Sequence, residues 1–391
     1  MMFSKRTNWK LNPNKYTQAL EEMRATASIV DLTVSNPTQC GFHYDAEHIL
    51  KAFQNPNALT YEPEAKGLLG AREEVARYYR EDHGVIVDPG SVLLTTSTSE
   101  AYSYVFRLLC DPHDEILVPK PSYPLFDFLG ELQDVSLVPY SLEYAHGWFV
   151  DFPSLVRAVT PRTRALLLVH PNNPTGSYVR REERQRLNEL CRERGLALVV
   201  DEVFLDYGLT DERHQTFATN EDALTFALSG LSKVAALPQM KVAWLIMSGP
   251  EPAKKMAIER LEIIADTYLS LNAPTQWAFG ALLEQRRLLR PQLLERIRQN
   301  WEFLRSSVSK EGGCELLDTE GGWYGVIRLK SDRSDEELAI EILRSTRTLV
   351  HPGHFYDFRT DGYLVVSLIT QVDHFRQGIG CLMKFLVGVR A

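Results

Sequence analysis

The sequence predicts an α/β protein: a mostly parallel sheet flanked by helices, joined to a smaller α+β part. Three observations predict it. The 391 residues are 44% hydrophobic and 24% charged, enough apolar material for two cores and too much for a disordered chain. The middle of the chain carries short runs that are apolar on both faces, separated by helical patterns. The last third changes texture, with long helical stretches set among a few strands.

Taken in order, the central runs are VLLTT at 92–96, EILVP at 115–119, ALLLVH at 165–170, LALVVD at 196–201 and LTFALSG at 224–230. A strand with both faces apolar has to be covered on both, which is the situation of a parallel sheet between helical layers. Between the third and fourth runs, YVRREERQRLNELCRERG places Leu187, Leu190 and Cys191 on one helical face and ends at Gly195, a favourable residue for leaving a helix. Farther on, 281–310 reads as a long helix interrupted near Pro291, followed by the strand-like GVIRL, a helix around 335–345, and YLVVSLI at 363–369. Residues 1–45 hold too little periodic structure to fold alone. The expected division is a large α/β domain over 46–280 and a composite small domain made of 1–45 plus 281–391.

The balance of 43 basic against 51 acidic side chains gives a net charge of −8, no footprint for a nucleic-acid backbone or an anionic membrane. No apolar run approaches the roughly 20 residues that span a bilayer, and the first residues lack the apolar core of a secretory signal. The expected setting is cytoplasmic, with small molecules as partners. Five cysteines form an odd set without CxxC spacing, so neither a disulfide framework nor a zinc site is expected. His351 and His354 have a suggestive spacing, but a Pro-Gly turn separates them and no acidic or thiol partner is near in sequence, so no metal is expected.

Three strand ends carry the chemistry. Asn173 follows ALLLVH in a turn, Asp201 closes LALVVD, and Lys233 lies just beyond LTFALSG. Taken singly each has an ordinary explanation: a turn asparagine, a capping aspartate, a strand-end lysine. Their separations of 28 and 32 residues are each about one βα unit of roughly 30 residues. Ligands of open α/β sheets bind along the carboxyl edge, so all three can face one ligand. A desolvated lysine there is a nucleophile toward an aldehyde, and a buried carboxylate calls for a cation. At the end of the first run, Ser97-Thr98-Ser99 opens a helix whose free N–H groups and dipole favour an anion.

The ordered set NNPTG, DEVF, SK and LPQMK resembles the class I/II aminotransferases, pyridoxal phosphate enzymes of fold type I, over most of the chain. The resemblance implies that Lys233 holds pyridoxal 5'-phosphate as a Schiff base and then acts as the proton-shuttling base. It likewise implies that Asp201 pairs with the ring nitrogen, Asn173 serves the ring's 3′ oxygen, and Thr98, Ser99, Ser232 and Lys241 belong to the cofactor site. Tyr123 would stack on the ring, and Tyr61 would reach the phosphate of a neighbouring subunit in a homodimer. The activity implied is ping-pong transfer of an amino group from an amino donor to an oxo-acid acceptor. A lyase or decarboxylase of the same fold shares the machinery and is the alternative.

Three positions depart from the family pattern. Lys241 stands where arginine is usual, Phe204 where tyrosine is usual, and the Val365-Val366 segment where an arginine normally clamps the substrate α-carboxylate. Asn36 and Asn173, with the backbone around Ser35, are the candidates for that last task, and Arg328 is a weaker one. Tyr207 is a candidate to supply the hydroxyl that Phe204 lacks.

Overall fold

Each apolar run becomes a strand of one large sheet in the computed structural model, which describes residues 2–9, 11–210, 214–308, 313–330 and 333–388. In chain order the strands are β1 (Val30–Asp31), β2 (Val92–Thr95), β3 (Glu115–Lys120), β4 (Ser136–Tyr144), β5 (Trp148–Val150), β6 (Thr163–Val169) and β7 (Ala197–Asp201). They continue as β8 (Thr225–Gly230), β9 (Ala243–Ser248), β10 (Cys314–Leu317), β11 (Tyr324–Leu329), β12 (Thr348–Leu349), β13 (His351–Pro352) and β14 (Tyr363–Ser367). Eight of them form the central sheet in the order β2-β9-β8-β7-β6-β3-β4-β5. The run from β4 to β8 is parallel throughout. β9 is antiparallel to both β8 and β2, and β5 folds back on β4. Every residue of β7 and β8 is buried, as expected of strands covered on both faces.

Three strands of the central sheet, β4, β5 and β9, escape the reading of apolar runs. β4 has only Tyr140 fully buried along its nine residues, because it approaches the sheet edge and faces a cleft. β9, though wholly buried, follows a turn that its sequence shares with the preceding loop.

The helix over Arg181–Arg194 buries Leu187, Leu190 and Cys191 and ends at Gly195 with φ 64°, as the pattern requires. The expected interruption at Pro291 is corrected: Arg286–Val308 is one helix with Pro291 inside it, and the break falls at Gln285, after the helix Ala273–Glu284. Proline removes one hydrogen bond near the start of that helix. The start itself is anchored by Arg286, whose guanidinium meets Glu81 at 2.7 Å, Glu284 at 3.0 Å and Asp82 at 3.1 Å.

A second sheet, β10-β11-β14-β13, is antiparallel, and β1 pairs in parallel with β12. Tyr16, Ala19 and Leu32 share one core cluster with Leu289, Ile297, Leu364, Phe375 and Ile379. The Tyr16 hydroxyl donates to the Val350 carbonyl at 2.8 Å, which ties the first helix to the later part of the chain. Among the described residues no helix is long and apolar enough to cross a membrane.

Candidate functional site

β2, β6, β7 and β8 point the same way, so the turns beyond their carboxyl ends meet on one side of the sheet. There they line a cavity of about 290 Å³. That is the scale of a small-molecule site, about 300 Å³ and upward. Ser97, Thr98, Ser99, Tyr123, Asn173, Asp201, Ser232 and Lys233 all border it, and Ser35 and Tyr324 close it from the amino-terminal segment and β11. Eight candidates named from the sequence, Thr98, Ser99, Tyr123, Asn173, Asp201, Ser232, Lys233 and Phe204, therefore lie on one cavity wall.

Lys233 sits in the short helix Leu231–Val234, one residue after the serine that follows β8. Gly230 precedes that helix because a Cβ there would stand 2.9 Å from the Ala243 Cβ across the sheet. The Lys233 amine lies 4.5 Å from the centre of the Trp323 ring and 5.5 Å from that of Phe204. Burial pulls its pKa down to about 8, against the opposing pull of Asp201. Asp201 is the last residue of β7. Its Oδ2 accepts from the Tyr102 hydroxyl at 2.8 Å and its Oδ1 from the Val203 N–H at 3.0 Å. Burial raises its pKa to about 6, while those two donors and Lys233 favour the anion.

Ser97 caps the helix Thr98–Leu109, its Oγ accepting from the Glu100 N–H at 3.2 Å. The Glu100 carboxylate reaches back to the Thr96 N–H at 2.7 Å. Thr98 and Ser99 thus enter the cavity from the first helical turn, where an anion is favoured. The Tyr123 ring is half-buried and held edge-on by Phe126 at 5.6 Å. The Asn173 Oδ1 is buried without a hydrogen-bond partner among the described residues, a group left for a ligand to satisfy.

Other candidates lie elsewhere. Lys241 is exposed at φ 53°, on a bend between the lining residues Pro238 and Ala243, and does not line the cavity itself. Asn36 spends its Oδ1 on the Thr38 N–H at 3.1 Å and hydroxyl at 2.8 Å, capping a short turn beside Ser35. Tyr61 is 76% exposed and borders a separate cavity with Glu62, Leu271 and Asn272. Arg328 pairs with Glu315 on a neighbouring cleft. Val365 and Val366 are fully buried strand core. Tyr207 does not supply the hydroxyl absent at Phe204: its own donates to the Lys233 carbonyl at 2.5 Å. His351 is satisfied by the Tyr356 hydroxyl at 2.9 Å, and burial lowers its pKa to about 4.

Three residues of the site escaped the sequence reading. Tyr102 follows Thr98 by one helical turn, a spacing that signals a shared face. Trp323 and Tyr324 come from the small sheet, and only the Gly-flanked aromatic pair in GGWYG marks them.

A buried carboxylate that needs a cation, a desolvated lysine, a carboxamide able to donate from its Nδ2 and a helix start open to an anion fit a phosphorylated pyridine aldehyde. The family model for aminotransferase class I and II matches residues 27–373. The glutamate-pyruvate aminotransferase AlaA of Escherichia coli strain K12 is 26% identical over 372 residues, spanning 92% of this chain and 91% of that one. An alanine aminotransferase of Mycobacterium tuberculosis strain H37Rv is 27% identical over 373 residues, 93% of this chain and 86% of that one. In fold, an Escherichia coli aminotransferase structure superposes with a TM-score of 0.86 at 24% identity, covering 99% of this chain and 98% of the other.

Proposed function

Since the chain belongs to the class I and II aminotransferase family, and so moves an amino group between an amino acid or related amine and a 2-oxo acid with pyridoxal phosphate, we propose that the cavity beyond β7 and β8 is where it does so. The observation that carries the assignment is the meeting of Lys233, Asp201, Asn173 and the Thr98–Ser99 helix start on one wall.

Pyridoxal phosphate, when bound, supplies an electron sink for the pair left behind when a substrate Cα–H bond breaks. The residues supply the rest. Lys233 holds the cofactor covalently, and a pKa near 8 leaves a useful fraction of neutral amine to take the proton from Cα. Asp201 keeps the proton on the ring nitrogen, fixed by Tyr102 and the Val203 N–H. Asn173 serves the ring oxygen, Tyr123 covers a ring face, and Thr98, Ser99 and Ser232 take the phosphate, with Lys241 adding charge from outside the wall. Asn36 acts through the turn it caps, holding Ser35 at the cavity edge. The donor leaves as its oxo acid before the acceptor enters, so both substrates use one site in turn.

The same reading includes a homodimer in which Tyr61 reaches the partner's phosphate, and a division into a large domain, 46–280, and a small one, 1–45 plus 281–391. The exposure of Tyr61 supports the first, and the core shared by Tyr16, Leu32 and Phe375 supports the second. Amino acids and oxo acids are met in the cytoplasm, where we place the enzyme. Borohydride reduction of the holoenzyme followed by peptide mapping tests the site: the label is expected on Lys233, and a label on any other lysine overturns it.

A further inference from the structure

Both substrates of this reaction bring a carboxylate next to the reacting carbon, and a carboxylate taken out of water is held by a cation or by donors that satisfy it. Among the described residues that line the cavity, Lys233 is the one cation, and the cofactor engages its amine. The other charged lining residue, Asp201, is an anion. The guanidinium of Arg296 is near enough to act on the Cys40 thiol, as Lys233 does, but its Nη1 is spent on the carbonyls of Cys40 at 3.2 Å and Ile369 at 3.3 Å. Its face lies over the Phe42 ring at 5.0 Å, so it serves to close the amino-terminal loop onto the long helix.

What the small-domain side offers is uncharged. Tyr324, buried on β11, presents a phenol, and Ser35 presents a hydroxyl from the segment after β1. The two border the same cavity. Burial pushes the Tyr324 pKa up, so it stays a neutral donor at any working pH. A hydroxyl donates as well to a carboxamide oxygen as to a carboxylate oxygen, apart from the modest strengthening a charged acceptor brings.

We propose that Ser35 and Tyr324 read the group beside the reacting carbon, and that the enzyme therefore takes α-amino amides as well as free α-amino acids as amino donors. This rests on the cavity being the transamination site. The amide would react as the acid does: the Cα proton passes through Lys233 to the aldehyde carbon of the cofactor, which takes up the electron pair and is reduced to the amine level as Cα is oxidised, the Cα–N bond breaks, and water supplies the oxygen of the new carbonyl. The product is a 2-oxo amide, the amino group stays with the enzyme for the second half-reaction, and the amide C–N bond is untouched.

The test compares L-alanine with L-alaninamide in single-turnover half-reactions of the holoenzyme, followed at the cofactor absorbance and corrected for the free-amine fraction. A site that pairs the acid with a guanidinium would favour it by on the order of 100-fold or more, because the amide leaves a buried charge unpaired. The expected preference is below about 30-fold, with Tyr324→Phe slowing both donors together by about tenfold. Equilibrium binding gives a second readout. 2-Methylalanine and its amide have no Cα proton to lose, and calorimetry should find dissociation constants that also agree within about 30-fold and change little between about 0.05 and 0.5 M salt. An acid preference above that limit, or one removed by Arg296→Gln, overturns the proposal while leaving the transamination site standing. If no amine converts the cofactor in a protein that binds it, the site assignment fails instead.

Discussion

The hydroxyl of Tyr102 donates to Asp201 Oδ2 at 2.8 Å, joining the helix that opens at the anion-favouring turn to the end of β7. One side chain thus links the residues assigned to the two ends of the cofactor. Removing it in Tyr102→Phe withdraws a donor from the charged form of Asp201, so the carboxyl pKa moves farther up. The acid limb of the kcat profile should shift to higher pH, with activity near neutrality down about tenfold and the fold retained, since one hydrogen bond to a charged group contributes about 1.5–3 kcal/mol. An acid limb that stays in place would remove Tyr102 from the site.

Lys233→Ala should lose borohydride-stable attachment of the cofactor and at least about three orders of magnitude of turnover, with the melting temperature little changed. Asp201→Ala, by contrast, should still attach the cofactor but exchange the substrate Cα proton for deuterium several orders of magnitude more slowly. Proton-exchange rates by NMR check the second. An unchanged rate would mean that another group protonates the ring nitrogen.

Asp201 also gives a signature in the cofactor-free protein. Its carboxyl moves up from 3.8 to about 6 on folding, so the folded state holds more protons than the unfolded one in that window. Its stabilising contribution is complete below pH 3.8 and is lost as pH rises through about 6. Urea titrations at several pH values should show this loss in the parent protein, and Asp201→Asn should not share it. Parallel pH profiles for the two proteins would contradict the burial assigned to the carboxyl.

Tyr207 and Phe204 separate two roles for an aromatic hydroxyl. Tyr207→Phe takes the hydroxyl donor from the Lys233 carbonyl, which keeps the Ala236 N–H at 3.2 Å, and should cost about 0.5–1.5 kcal/mol of stability and lower kcat through the displaced lysine. Phe204→Tyr places a new hydroxyl on the cavity wall, beside the ring oxygen in the proposed arrangement. Stabilising an anionic oxygen there should lower the absorbance pKa of the bound cofactor. A visible titration in which tyrosine gives an equal or higher pKa would refute that placement.

The subunit arrangement has its own test. Tyr61→Ala should weaken cofactor affinity, and Lys233→Ala should be inactive, yet a mixture refolded together should regain activity. In the mixed dimer one site combines an intact Lys233 from one chain with an intact Tyr61 from the other. Failure to regain activity, in a mixture whose hybrid dimers are isolated by affinity tags, would place Tyr61 in the site of its own chain rather than its partner's.

The sequence by itself determined the sheet that carries the site. β2, β3, β6, β7 and β8 are legible because strands buried on both faces must be continuously apolar, and the turns after them must hold whatever chemistry the edge carries. The separations of Asn173, Asp201 and Lys233 follow from the length of a βα unit, so their meeting was foreseeable without coordinates. The break at Gln285 rather than Pro291 was not, because the ion pairs that anchor Arg286 come from residues some two hundred positions earlier. Only the tertiary structure decided what faces those strand ends. Tyr102 reaches Asp201 through a helix-to-sheet contact, and Trp323, Tyr324 and Ser35 arrive from segments whose local patterns are ordinary strand and loop. Tyr207 and Asn36 look equally available for the site in the sequence, yet folding commits the one to a backbone carbonyl and the other to a turn. Periodicity reports which face of an element is buried. It does not report which distant element covers that face, and the polar partners of this site are set by that second layer of packing.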